Sequence, residues 1–144
     1  MRVSGVPYEV EEEDMMLTKH HWEGLMPTPD THFGFLYVIK NNVTGKKYLG
    51  RKFYHRWSKR KKIGNNNWHY YTGSSKDLNE DIKKEGKEWF SFEIVKQYKT
   101  RGGLVYFENY YLYKYDVLTM RDGEGERLWY NKHIGNCKFI PPVE

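Results

Sequence analysis

Tyr37 and Tyr48 stand eleven positions apart, each in a short run of apolar or aromatic residues. A dense group of cations follows them: Arg51, Lys52, Arg56, Lys59, Arg60, Lys61 and Lys62. Further on, Glu108 lies between Phe107 and the pair Asn109-Tyr110. Cutting a phosphodiester needs an activated water, a cation beside the phosphate and stabilisation of the charge that develops on it. These residue types can supply all three. A phenol with its ordinary pKa of ~10 is a poor base at neutral pH unless cations lower it, and the neighbouring lysines and arginines are the kind of environment that does so. The plainer alternative is that Tyr37 and Tyr48 are cross-strand aromatics packing a hairpin. For Glu108 the alternative is a solvated helix carboxylate, although a charge bordering an apolar face is less expected to be purely solvated. One carboxylate with several waters suits Mg2+, which dehydrates reluctantly.

The charge distribution agrees with an anionic partner. The formal net charge is +5 with a pI near 9.1, and a basic balance of this kind favours polyanions. Glu9, Glu11, Glu12, Glu13 and Asp14 crowd the N-terminal stretch, so the rest of the chain is more basic than the total. The single cysteine, Cys137, forms no intramolecular disulfide and is expected to be an inert buried thiol in a reducing compartment. No apolar run approaches the ~20 residues of a membrane span and the start lacks the apolar segment of a signal peptide, so a cytoplasmic protein is expected.

The elements that must position these groups can be read in order. Residues 1–32 mix the acidic run with Pro7, Pro27 and Pro29 and show no sustained period, which reads as an arm. His20, His21 and His32 lie in it without a carboxylate at ligand spacing and are expected to be surface residues rather than metal ligands. Phe35 to Ile39 reads as a strand, the stretch Lys40 to Gly45 as a turn, and Lys46 to Gly50 as a second strand paired with the first. A basic connector follows. Ser74-Ser75-Lys76-Asp77 reads as a helix start and Gly86 as its stop. Phe90, Phe92 and Ile94 alternate as a third strand. After Arg101-Gly102-Gly103 breaks the chain, Leu104, Phe107, Tyr111 and Tyr115 mark one face of a second helix. The expected fold class is α/β: a single compact domain with a small, mainly antiparallel three-stranded sheet flanked by helices. The aromatic content of 17% means that its core must be built largely from rings.

At these positions the chain resembles a known family. Phe35-Leu36-Tyr37 and Tyr48-Leu49-Gly50 are similar to the paired signature of the GIY-YIG nucleases, with the first glycine and isoleucine replaced. The segment from Gly73 through Leu78, with Ile82, Gly86, Phe90 and Ile94, resembles the helix-then-strand region of the phage Seg-type homing endonucleases in that superfamily. Phe107-Glu108-Asn109-Tyr110 resembles its metal-binding glutamate helix, and Tyr130-Asn131 the asparagine that closes its core. The resemblance covers roughly Phe33 to Asn136, which implies an arm over 1–32, a GIY-YIG-like nuclease domain over 33–136 and a tail over 137–144.

It also implies roles. Tyr37 becomes the base with Tyr48 as its hydrogen-bonding partner, and Glu108 the ligand of Mg2+, with Mn2+ able to substitute. The family's arginine falls among Arg51, Arg56 and Arg60; Arg56-Trp57 is similar to an arginine-tryptophan pair in one homing member, and a guanidinium there would grip the scissile phosphate. His55 either assists or is an exposed loop histidine. Asn131 either orients a tyrosine or water, or caps a turn. Nucleic acid is expected on Arg51, Lys52, Lys59, Arg60, Lys61, Lys62, Tyr71 and Ser74, with Lys59 to Lys62 as a phosphate-tracking patch or a solvated basic loop. Trp57, Trp68, Tyr70 and Tyr71 stack on bases or merely pack.

The implied partner is double-stranded DNA cut to leave a 5′-phosphate, with no small-molecule cofactor, no membrane and a homodimer left open; a phage-encoded copy would act in the host cytoplasm. The competing expectations are a binding module derived from a nuclease that no longer cuts, and a nuclease acting on RNA, since phosphate contacts look alike on both polymers. The acidic run Glu11 to Asp14 either lies across the basic surface as a mimic of phosphate or belongs to a solvated arm that packs through Trp22, Leu25 and Met26.

Overall fold

The computed structural model describes residues 19–135. The acidic run Glu9 to Asp14, Cys137 and the tail from 136 lie outside the described residues. Strand β2 (Gly34–Asn41) is central: β3 (Lys47–Phe53) flanks it on one side and β6 (Phe90–Tyr98) on the other, both antiparallel. The sheet therefore holds four strands rather than three, in the order β1-β6-β2-β3, because β1 (Glu23–Gly24) adds a parallel pair on β6. Two residues are too short for any periodicity to register. Gly24 makes the pairing possible, since its φ is +85° and a Cβ there would stand 2.5 Å from the Ile94 carbonyl oxygen.

The register places Phe35 opposite Lys52, Tyr37 opposite Gly50 and Ile39 opposite Tyr48, so these side chains share one face. Leu36 opposite Arg51 and Val38 opposite Leu49 share the other. Each face is buried separately. Trp22, Phe35, Tyr37, Ile39, Phe92 and Ile94 pack with Leu78 of helix α1 (Lys76–Glu85) on the first. Leu49 packs with Leu112 of helix α2 (Arg101–Lys114) and with Val117, Leu118 and Ile134 on the second. Trp22 is 5% exposed and its indole N–H donates to the Trp68 carbonyl at 2.7 Å, so the chain before Phe33 is fixed against the sheet at that point.

Helix α1 starts as its residues suggest: the Ser75 hydroxyl accepts from the Leu78 amide, and Gly86 at φ +103° ends it. Helix α2 starts earlier than the glycine pair implies. Thr100 is its N-cap, accepting from the Gly103 amide, so Arg101-Gly102-Gly103 form the first turn rather than a break. Its buried positions are Leu104 and Leu112, whereas Phe107 and Tyr115 are largely exposed. The connector is not irregular either. It forms a separate antiparallel ribbon, β4 (His55–Ser58) with β5 (Lys61–Asn65).

Candidate active site

Gly50 sits on β3, an outer strand of the sheet, and a side chain there would project onto the face that carries Tyr37 and Tyr48. A Cβ there would stand 2.5 Å from the Tyr37 hydroxyl oxygen and 2.9 Å from Tyr48 Cε2. A cleft of about 320 Å³ lies beside this strand, lined by Tyr37, Tyr48, Arg51, Lys52, Phe53, Asn66, Tyr71, Ser74 and Glu108. Groups from opposite faces of the sheet thereby meet in one hollow: phenols from one, the Arg51 and Glu108 pair from the other.

Tyr37 is 1% exposed, and its ring meets the Tyr71 ring edge-on at 6.0 Å. Burial pushes its phenol well above the ordinary range, and Tyr48, Tyr71, Glu108 and a hydrogen bond with Tyr71 push it the same way. The sequence-based expectation of a phenol lowered by cations is thus corrected for the free protein: Lys59 to Lys62 are not among the cleft residues, and burial with the neighbouring phenols and Glu108 raises the group. Tyr48 shares a hydrogen bond of 3.0 Å with the Ser74 hydroxyl; burial raises its phenol while Ser74 and Arg51 draw it down.

Glu108 reaches the cleft from α2 and is paired with the Arg51 guanidinium, its side chain 12% exposed against 37% for Arg51. Burial holds the carboxyl above the usual carboxylate range, with Arg51 pulling it back. A largely buried carboxylate lining the same cleft as Tyr37, Tyr48 and Ser74 is a donor that fits a hard divalent cation keeping several waters. Among the described residues no three His, Cys, Asp or Glu side chains gather as a metal cluster. Lys52 places its ammonium 3.8 Å from the Tyr71 ring centroid, and burial lowers its pKa.

Asn131 is buried beside the cleft and neither caps a turn nor lines it. Its side-chain oxygen accepts from the Leu49 amide at 3.1 Å and its amide nitrogen donates to the Leu49 carbonyl at 2.8 Å. The Leu128 carbonyl accepts from the Lys47 amide at 3.0 Å and the Tyr130 amide donates to the Lys47 carbonyl at 2.7 Å. The Asn131 side chain therefore continues, for one residue, the strand edge that Leu128 and Tyr130 begin. Asn131 fixes the backbone between Tyr48 and Gly50. A second hollow of about 300 Å³, sharing Tyr48 and Ser74 with the first, runs past Asn131, Lys132 and His133.

Not all the expected groups assemble. Arg51, Lys52, Tyr71 and Ser74 do; Arg56, His55 and Arg60 lie on the ribbon, outside the cleft-lining residues. The arginine beside the tyrosines is Arg51 rather than Arg56, because Arg51 precedes the chain's departure from the sheet at Tyr54 whereas Arg56 lies beyond it, its guanidinium near Gly64. Burial and Lys62 lower the His55 pKa, and Asp30 opposes them. Phe53 and Asn66 line the cleft without having been marked in the sequence. Asn66 sits in an undistinguished asparagine tract, and only the return of β5 brings it back to donate to the Phe53 carbonyl at 3.1 Å.

Among the described residues no helix is long and apolar enough to cross a membrane. A family model described as putative endonuclease segE, GIY-YIG domain, matches residues 16–134. No curated protein and no solved structure gives a significant match.

Proposed function

Since the chain belongs to the SegE-type GIY-YIG endonuclease family, we propose that it is a metal-dependent endonuclease that hydrolyses phosphodiester bonds of double-stranded DNA. The observation that carries this is the cleft beside β3, where Tyr37, Tyr48, Arg51 and Glu108 converge from both faces of one sheet. Phosphate enters at Arg51, the half-exposed cation of the group. Turning from Glu108 toward a phosphate, its guanidinium offsets the charge that builds on the non-bridging oxygens.

Glu108 is the residue that would hold the cation, Mg2+ or Mn2+. That ion would supply Lewis-acid polarisation of the phosphate and a water of lowered pKa. Tyr37 and Tyr48 orient the attacking water. Tyr37 keeps its proton in the free protein; to act as base it would first have to release that proton to solvent, which positive charge held beside Glu108 would favour, and the phenolate would then take one from the attacking water. Water adds to phosphorus, the bond to the 3′ oxygen breaks, and the products are a 3′-hydroxyl and a 5′-phosphate. Lys52, Lys59, Arg60, Lys61 and Lys62 hold the duplex by its phosphates.

The test is incubation with supercoiled plasmid, with Mg2+ or with chelator, using the wild type and Tyr37→Phe. The reading requires nicked or linear product that appears only with the cation, and a strong loss in the variant despite unchanged melting. Binding of plasmid without any cut under all conditions would instead identify a binding module.

A further inference from the structure

The β4–β5 ribbon carries a turn chosen against its own folding. Ser58 pairs with Lys61, leaving Lys59-Arg60 as a two-residue loop with φ of 50° and 68°. Positive φ at both positions is the mark of a type I′ hairpin turn, for which Asn-Gly is the favoured pair and β-carbon-bearing residues are strained. Everywhere else among the described residues, positive φ falls on a glycine or on Asn67 and Asp116, residue types that tolerate it. Only at the ribbon tip are two long cations held there.

The rest of the ribbon is mounted rather than loose. Trp57 stacks on Phe33 at 5.4 Å and 19°, and Phe33 packs on Phe53 at 4.7 Å. The Tyr54 amide donates to the Phe33 carbonyl and the Asn66 amide to the Tyr54 carbonyl, both at 3.1 Å. Trp57 and its partner Lys62 occupy one face and Arg56, Ser58 and Lys61 the other, and all five are exposed. From Arg51 to Ser75 the chain holds no acidic residue. The base of the ribbon is also the wall of the cleft, since Phe53 and Asn66 line it. Its strands of four and five residues reach roughly 13–16 Å at ~3.3 Å per residue. A two-stranded ribbon fits the ~12 Å width of the B-DNA major groove.

We infer that the β4–β5 ribbon is a duplex-docking arm whose Lys59-Arg60 turn enters the major groove beside the scissile phosphate and sets where the cut falls. The inference rests on the endonuclease reading and deepens it. A strained turn persists where its side chains are needed for contact, and a fixed base gives the contact a defined distance from Arg51.

The test uses the full chain in chelator, so that binding is measured without cleavage, and compares the wild type with the Lys59→Asn/Arg60→Gly double variant, whose turn suits the hairpin better. On a 20-base-pair duplex the variant is expected to bind at least tenfold more weakly at low salt, with the slope of log affinity against log salt reduced by about two. Its thermal midpoint is expected to hold or rise. Guanine N7 atoms, which lie in the major groove, should be protected from dimethyl sulfate by the wild type and not by the variant. Unchanged affinity and slope, an equal loss on single strands, missing N7 protection in the wild type, or a lowered midpoint would each overturn the docking arm. If the wild type protects N7 yet never cuts plasmid with Mg2+, the endonuclease reading fails while the duplex contact stands.

Discussion

The Tyr37 hydroxyl lies directly over Gly50, the residue paired with it across β2 and β3, at a distance that leaves no room for a β-carbon. The second glycine of the motif is thus a consequence of the first tyrosine: the strand edge has to be bare for a buried phenol to reach the cleft. Both residues are buried, so relief of the clash would need movement of the sheet itself.

Gly50→Ala is expected to destabilise the fold by about 1–3 kcal/mol, the usual cost of overpacking, and to abolish cleavage. The Tyr37→Phe background removes the contact at 2.5 Å but leaves Tyr37 Cζ at 2.7 Å. The alanine should therefore cost less there, and a double-mutant cycle by urea denaturation reads the difference. Strict additivity would show that the two residues do not press on each other.

Arg51→Ala and Arg56→Ala should separate chemistry from docking. Loss of Arg51 is expected to lower the single-turnover rate by roughly 10²–10³, the scale for removing one charge-stabilising donor. Loss of Arg56 should leave that rate near wild type at saturating DNA and raise the DNA concentration needed to reach it. The reverse pattern would move the catalytic arginine onto the ribbon.

Asn131→Ala leaves the Leu49 amide and carbonyl without their partner. Unsatisfied buried groups cost roughly 1–3 kcal/mol each, so a drop of about 2–6 kcal/mol in unfolding free energy is expected, with cleavage falling as Tyr48 loses its fixed position. Full stability with activity lost would instead make Asn131 a participant in the chemistry.

His21 supplies a pH signature. It stacks on Phe92 at 4.0 Å and 15°, and burial, helped by Lys87 and His20, depresses its pKa to about 4 against a backbone contact at Tyr71 that raises it. The unfolded chain therefore binds a proton near pH 6.5 that the folded one resists down to about 4. Stability is unaffected above that window and is lost as pH falls through it. His21→Phe keeps the stack without the titration. Urea midpoints from pH 7.5 to 4.5 should show the variant gaining on the wild type below about pH 6.5; a constant gap would show that His21 is not held neutral.

Much of this was legible in the residues. Strand alternation at Phe90, Phe92 and Ile94, the Ser75 cap and the Gly86 stop each appear where local chemistry demands them. So does the pairing of the two tyrosine strands, because a turn rich in Asn and Gly separates two apolar runs. What stayed hidden depends on contacts between distant segments. Nothing in Glu23-Gly24 signals a strand until β6 offers its edge, and the Lys59-Arg60 turn carries none of the residues that usually mark a hairpin. The choice of Arg51 over Arg56 needed the point at which the chain leaves the sheet. The rise in the Tyr37 pKa needed the depth of its burial, which a count of neighbouring lysines does not give.

Glu108 is the most direct test of the whole account. Its carboxyl is raised by burial, with Arg51 pulling it back, so the folded state loses stability as pH climbs from the ordinary carboxyl range through the raised folded value. Glu108→Gln removes the charge and keeps the shape, while the half-exposed Arg51 can turn to water. The decisive measurement is the single-turnover rate of cleavage of one labelled duplex by Glu108→Gln in Mg2+, taken with its melting temperature and its duplex affinity in chelator. The account expects cleavage lost, affinity retained and a melting temperature no lower than wild type. Cleavage at the wild-type rate by this folded, DNA-bound variant would contradict it.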